Sequence, residues 1–138
     1  MIGPNPVVAW AALFVATLSG RLLLLLSYRR ASRRVGRSLD NTRWLMRFRV
    51  GVVFAGLIWG LASILLFPSG DLAHQTFLAF TLAGLSAGAI ATLAADHLGA
   101  TAFLLAVLAP LAVRLLNEGQ RIPLAMGVMV ILLSLIHI

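Results

Sequence analysis

Polar residues are sparse along this chain, and they fall in clumps. Between the clumps run five apolar stretches, at about residues 7–27, 50–67, 76–95, 98–116 and 122–138. A helix that crosses the apolar core of a bilayer needs about 20 residues, within a range of roughly 17–25. Each stretch meets that length. None shows the strict alternation or hairpin punctuation of a membrane strand. The pattern predicts an all-α, polytopic transmembrane helical bundle of about five spans. The breaks are short and turn-like: "PSGD" at 68–71, "NEGQRIP" at 117–123, and Asp96-His97, which leaves almost no spare chain between the third and fourth helices. Those two helices are expected to form a tight antiparallel pair, and the loops leave no room for a second domain.

Composition agrees with this and fixes the class. Of 138 residues, 61% are hydrophobic and 11% charged, where a soluble domain is about half apolar and a quarter charged. The net charge of +7 is concentrated. Arg29, Arg30, Arg33, Arg34, Arg37, Arg43, Arg47 and Arg49 lie in one block between the first two spans. A nucleic-acid binder carries such a patch on a folded polar surface; here both flanks are apolar, so no nucleic-acid partner is expected. Arginine-rich short loops stay on the cytoplasmic side. The basic loop, 28–49, is therefore read as cytoplasmic, as are the Asp96 turn and the C-terminus, with 68–75 and 117–121 outside. This puts the N-terminus outside and predicts a further helix upstream. The start, "MIGPNP", lacks the basic region of a cleavable signal peptide. With arginine as the sole basic residue type and Ala, Gly, Leu and Val dominant, the composition points to a bacterial inner membrane.

The block also has helical spacing of its own. Arg30, Arg33, Arg34 and Arg37 share one stripe, so the first helix is expected either to extend past the bilayer with its arginines on anionic headgroups or to give way to a solvated loop. Asp40 is placed to cap a new helix at Asn41. Arg21 lies inside the first span. Two readings stay open for it: snorkelling towards the basic end, roughly 10 Å away over seven residues, or an intramembrane ion pair with Asp96. Asp71 and His74 sit three apart in a turn, which suits a cap better than a metal site of three or four ligands. No metal site, cofactor motif or catalytic constellation is evident, and the absence of cysteine excludes thiolate chemistry. Gly56-xxx-Gly60 and Gly84-xxx-Gly88 are small-residue seams, the former extended by Gly51 and Ala55. They are expected to pack helices within the bundle, with a homodimer as the alternative. Pro110 predicts a kink in the fourth helix. Trp10, Tyr28 and Trp44 suit interfacial anchoring, while Trp59 reads as a packing residue.

The last six residues, "LSLIHI", have two readings. They fit a natural apolar helix end. They also fit translation of a transposon-end sequencing adapter, CTG TCT CTT ATA CAC ATC, in which case 133–138 are foreign to a chain that continues beyond 132.

The segments "RFRVGVVFAGLIWGLASILLFP", "HQTFLAFTLAGLSAGAIATLAA", "APLAVRLLNEG" and "LAMGVMVILL" together resemble the multi-pass N-terminal membrane region of bacterial signalling proteins. Such regions precede cytoplasmic GGDEF diguanylate cyclase modules, sometimes with EAL, or sensor histidine kinases. The resemblance covers about residues 10–132 and implies a sensory or anchoring role. It transfers no catalytic residue: there is no GGDEF motif, phosphoacceptor histidine or nucleotide-binding motif in the sequence, so any enzymatic activity would belong to sequence outside it. The expected partner is the lipid bilayer, with a second copy as the alternative reading of the glycine seams; the residues name no sensed ligand. The competing class is a fragment of a small transporter or channel, for which Pro110 and a faint echo between "FAGLIWG" and "LAGLSAG" speak.

Overall fold

A computed structural model describes residues 5–34 and 41–137. Among these the chain is helical, with no strand: α1 (Pro6–Arg34), α2 (Asn41–Leu65), α3 (Leu72–Thr92), α4 (His97–Asn117) and α5 (Arg121–His137). The first four are long and apolar enough to cross a membrane, which makes this a membrane-type helical bundle. The fifth is apolar but spans only 17 residues. It therefore stands at the lower limit of the length a crossing requires.

Local chemistry accounts for the helices. Apolar runs rich in Ala and Leu favour helix, and in lipid every backbone group must find its partner within the chain. Several hydroxyls in the spans turn back on their own helix. Thr17 donates to the Leu13 carbonyl at 2.9 Å, Thr81 to Phe77 at 2.8 Å and Ser86 to Leu82 at 2.8 Å. The turns hold where Pro and Gly predict them. Gly70 and Gly119 both adopt positive φ, 80° and 74°, a conformation that glycine enters without Cβ strain. Asp71 caps α3 by accepting the His74 amide, as its position in the turn suggests.

The segment expected as a basic loop, 28–49, is largely helical. α1 continues to Arg34 and α2 starts at Asn41, the helical alternative that the arginine spacing and the position of Asp40 offered, so both helices run beyond the apolar stretches that end at 27 and begin at 50. The arginine stripe is compatible with helix, so apolarity ends before the helix does. Arg37, Asp40 and the side chains of Arg33 and Arg34 lie outside the described residues.

Helix α4 is the hub of the bundle. It packs on α2, α3 and α5, and its Leu104, Val107, Leu108, Leu111 and Leu115 are almost fully buried. Contacts between α2 and α4 ascend together: Arg49 meets Asp96, Gly56 meets Phe103, Gly60 meets Ala106, and Phe67 meets Arg114. The two helices therefore run parallel and pack directly on each other, with α3 as the return connection in the chain. Helix α1 runs antiparallel to α2 and packs chiefly on it. It is held at two aromatic clasps. At one, Trp10 and Phe14 meet Trp59 edge-on at 5.2 and 5.0 Å, and the Trp10 indole N–H donates to the Ile58 carbonyl at 2.8 Å. At the other, Tyr28 meets Trp44 at 5.2 Å. Trp10 thus serves as a clasp as well as an aromatic at a helix end. Trp10→Phe keeps the ring stack and deletes the hydrogen bond, a loss of about 1 kcal/mol. Faster hydrogen–deuterium exchange confined to α1 is the expected outcome; unchanged exchange there would show that the bond contributes nothing to docking.

Candidate functional site

The two glycine seams have different fates. A Cβ on Gly56 would stand 3.0 Å from the Ala106 Cβ and 3.1 Å from the Phe103 carbonyl oxygen, and one on Gly60 would run into the Ala106 carbonyl oxygen. Pro110 supplies the reason that this carbonyl is available. Proline has no N–H, so the Ala106 oxygen loses its usual partner four residues on, and Gly60 lets the α2 backbone approach it. Gly84 and Gly88 were expected to pack in the same way. They do not: nothing lies within 4 Å of a Cβ at either position, and both are exposed on α3. Gly51 likewise has open space beside it and does not extend the first seam, whereas Ala55 is buried.

At the basic end of the bundle, Asp96 is bound by Arg49. Nε lies 3.1 and 3.0 Å from the two carboxylate oxygens and Nη2 lies 2.8 Å from Oδ1. Of the two readings open for Arg21, the ion pair with Asp96 is therefore not the one formed. Arg21 is on α1, which packs chiefly on α2, whereas Arg49 and Asp96 occupy matching ends of the parallel, closely packed α2 and α4. The hydrogen bond from Arg49 holds the Asp96 carboxyl below the usual carboxylate range. Gly99 makes room for it, since a Cβ there would stand 2.6 Å from Oδ2.

At the opposite end Glu118 Oε1 accepts from the Gly70 amide at 2.7 Å and from Gln75 Nε2 at 3.0 Å, tying the two turns together. Gln75 also donates to the Pro68 carbonyl at 3.1 Å. Asp71 and His74 pair at 2.6 Å. The Asp71 carboxyl is held low, first by the His74 amide and then by its ring. Composition gives no signal for the Gln75–Glu118 tie; only the proximity of the two turns creates it.

An apolar groove of about 800 Å³ lies between α1 and α2, bordered by Arg21, Arg47, Tyr28 and Trp44. Arg47 stacks on the Trp44 ring at 5.1 Å. Arg21 also borders a second groove of about 410 Å³ between α1, α2 and α3. Arg29 and Arg30 are exposed on α1, and Arg43 is exposed near the start of α2.

No protein family, curated protein or solved structure matches the chain. The likeness to signalling membrane regions therefore rests on its sequence pattern.

Proposed function

We propose that the chain is a membrane-embedded sensory or anchoring module of a bacterial signal transducer, seated in the cytoplasmic membrane with segment 29–49 inside. The observation that carries this reading is the asymmetry of the bundle. Helices α2 to α5 are organised around α4, while α1 is held mainly by two aromatic clasps on α2. Such a helix can change its seat without unpacking the core. A stimulus would act by favouring one seat over the other, which requires different affinities for the two. The output module, a diguanylate cyclase or a histidine kinase by resemblance, would be carried by other sequence. The basic arginines supply the orientation.

The transporter reading has one observation in its favour, the proline inside α4. The carbonyl that Pro110 frees faces Gly60 of α2 and is closed off by it, where a transport site needs it in a cavity. Coding sequence flanking this chain in its genome tests the choice: an in-frame cyclase or kinase module supports the sensor, and further spans support the transporter. Orientation is tested by reporter fusions at Gly70 and Gly119, both expected to report the outer side. Replacing Arg29, Arg30, Arg43 and Arg47 by Gln is expected to scramble that report, and an unaltered report would overturn the assignment.

A further inference from the structure

We propose that the groove between α1 and α2 binds one anionic phospholipid, with its headgroup on Arg21 and Arg47 and an acyl chain along the apolar floor. The inference is independent of any signalling role. The groove exists because the two clasps hold the helices apart between them. The antiparallel register that sets Tyr28 against Trp44 and Phe14 against Trp59 sets Gly20 against Gly51. Neither glycine has anything within 4 Å of where a Cβ would stand. The space is about 800 Å³, which is within the range of small-molecule sites, about 300–1,000 Å³. Its walls are Leu24, Leu25, Phe48 and Phe54, and its charge comes from Arg21 and Arg47.

Charge complementarity selects the occupant. The chain has four acidic residues. Asp96 is taken by Arg49, and Asp71 and Glu118 belong to the far turns. Asp40 lies outside the described residues. Among the described residues, then, no carboxylate pairs with Arg21 or Arg47. A guanidinium that faces hydrocarbon needs an anion or water, and basic pockets between membrane helices at a charged leaflet take anionic headgroups. Arg47, whose guanidinium carbon lies over the Trp44 ring at 5.1 Å from its centroid, carries a planar fork of donors suited to phosphate oxygens. A zwitterionic lipid would bring its own cation to the same place, so the site discriminates by net charge.

The test uses the intact chain, equilibrated in detergent with equal phosphatidylglycerol and phosphatidylcholine and read by native mass spectrometry. One phosphatidylglycerol is expected to be retained over phosphatidylcholine. Arg21→Gln with Arg47→Gln is expected to reduce that preference by roughly tenfold, while Arg29→Gln with Arg30→Gln leaves it intact. Gly51→Leu, which fills open space, is expected to abolish retention with helical circular dichroism unchanged, and it decides the matter if the double arginine variant does not fold. Equal retention of the two lipids, equal loss in both arginine pairs, or retention undiminished by Gly51→Leu would overturn the proposal. So would displacement by inorganic phosphate, which would indicate a simple anion site.

Discussion

Replacing Gly60 by alanine is expected to destabilise the bundle by about 1–3 kcal/mol, the usual cost of overpacking. The same change at Gly84 or Gly88 is expected to be neutral or slightly stabilising. Two terms compete at each position. Alanine is a better helix former than glycine by up to about 1 kcal/mol. Against this stands whatever the new methyl meets. At Gly60 it meets the Ala106 carbonyl oxygen, with the Pro110 ring also close at 3.3 Å. A backbone oxygen cannot rotate aside, so α2 and α4 must separate, and α4 is the helix on which α2, α3 and α5 are built. The steric term wins there. At Gly84 and Gly88 nothing is met, and only propensity remains. Gly56 falls between, with its nearest neighbours at 3.0 to 3.2 Å. Thermal unfolding in a mild detergent, followed by circular dichroism, should rank the alanine variants Gly60, Gly56, then Gly84 and Gly88, from least to most stable. Equal losses at Gly60 and Gly84 would show that the seams are equivalent and that α2 does not meet α4 with Gly60 against Ala106.

That contrast also marks what the sequence can and cannot tell. Length and apolarity locate the helices because lipid permits little else, and proline and glycine locate the turns at Gly70 and Gly119. The start of α2 at Asn41 is partly legible: the position of Asp40 offers a helix start there, but the polarity of the stretch before Val50 fits a solvated loop equally well. The seams are harder still. Both have the same spacing, and the difference lies in the facing surface, where small Ala106 and the carbonyl that Pro110 leaves without a helical partner admit α2. Asp96 is a case of the same kind. Sequence gives depth along a helix axis and so places Arg21, Arg49 and Asp96 near one end. It does not give which helices are neighbours, and that alone selects Arg49. The groove at Gly20 and Gly51 is invisible for the opposite reason, being a place where nothing packs.

Arg49→Gln and Asp96→Asn are each expected to lower the unfolding midpoint, and the double substitution is expected to lose less than the two single losses combined. Removing one partner leaves the other charge at a helix–helix contact without compensation; removing both does not. The exchanged pair, Arg49→Asp with Asp96→Arg, should recover part of the loss if the ion pair itself joins α2 to α4. Gly99→Ala gives an arm that changes no charge, since its methyl would stand 2.6 Å from Oδ2 of Asp96 and must displace a carboxylate already held by Arg49 through both oxygens. Acid provides an independent readout. The folded state holds Asp96 below its ordinary value of about 3.8. Its contribution is therefore fully present above that value and is lost as pH falls through the lower, folded-state value. Asp71 is shifted the same way by His74, at the other end of the bundle, so the wild type should show two superimposed losses in acid. Asp96→Asn should remove one component and Asp71→Asn the other. If Asp96→Asn leaves the acid limb unaltered, the carboxylate is not held by Arg49 in the membrane-embedded fold, and Arg21 regains its claim as the partner.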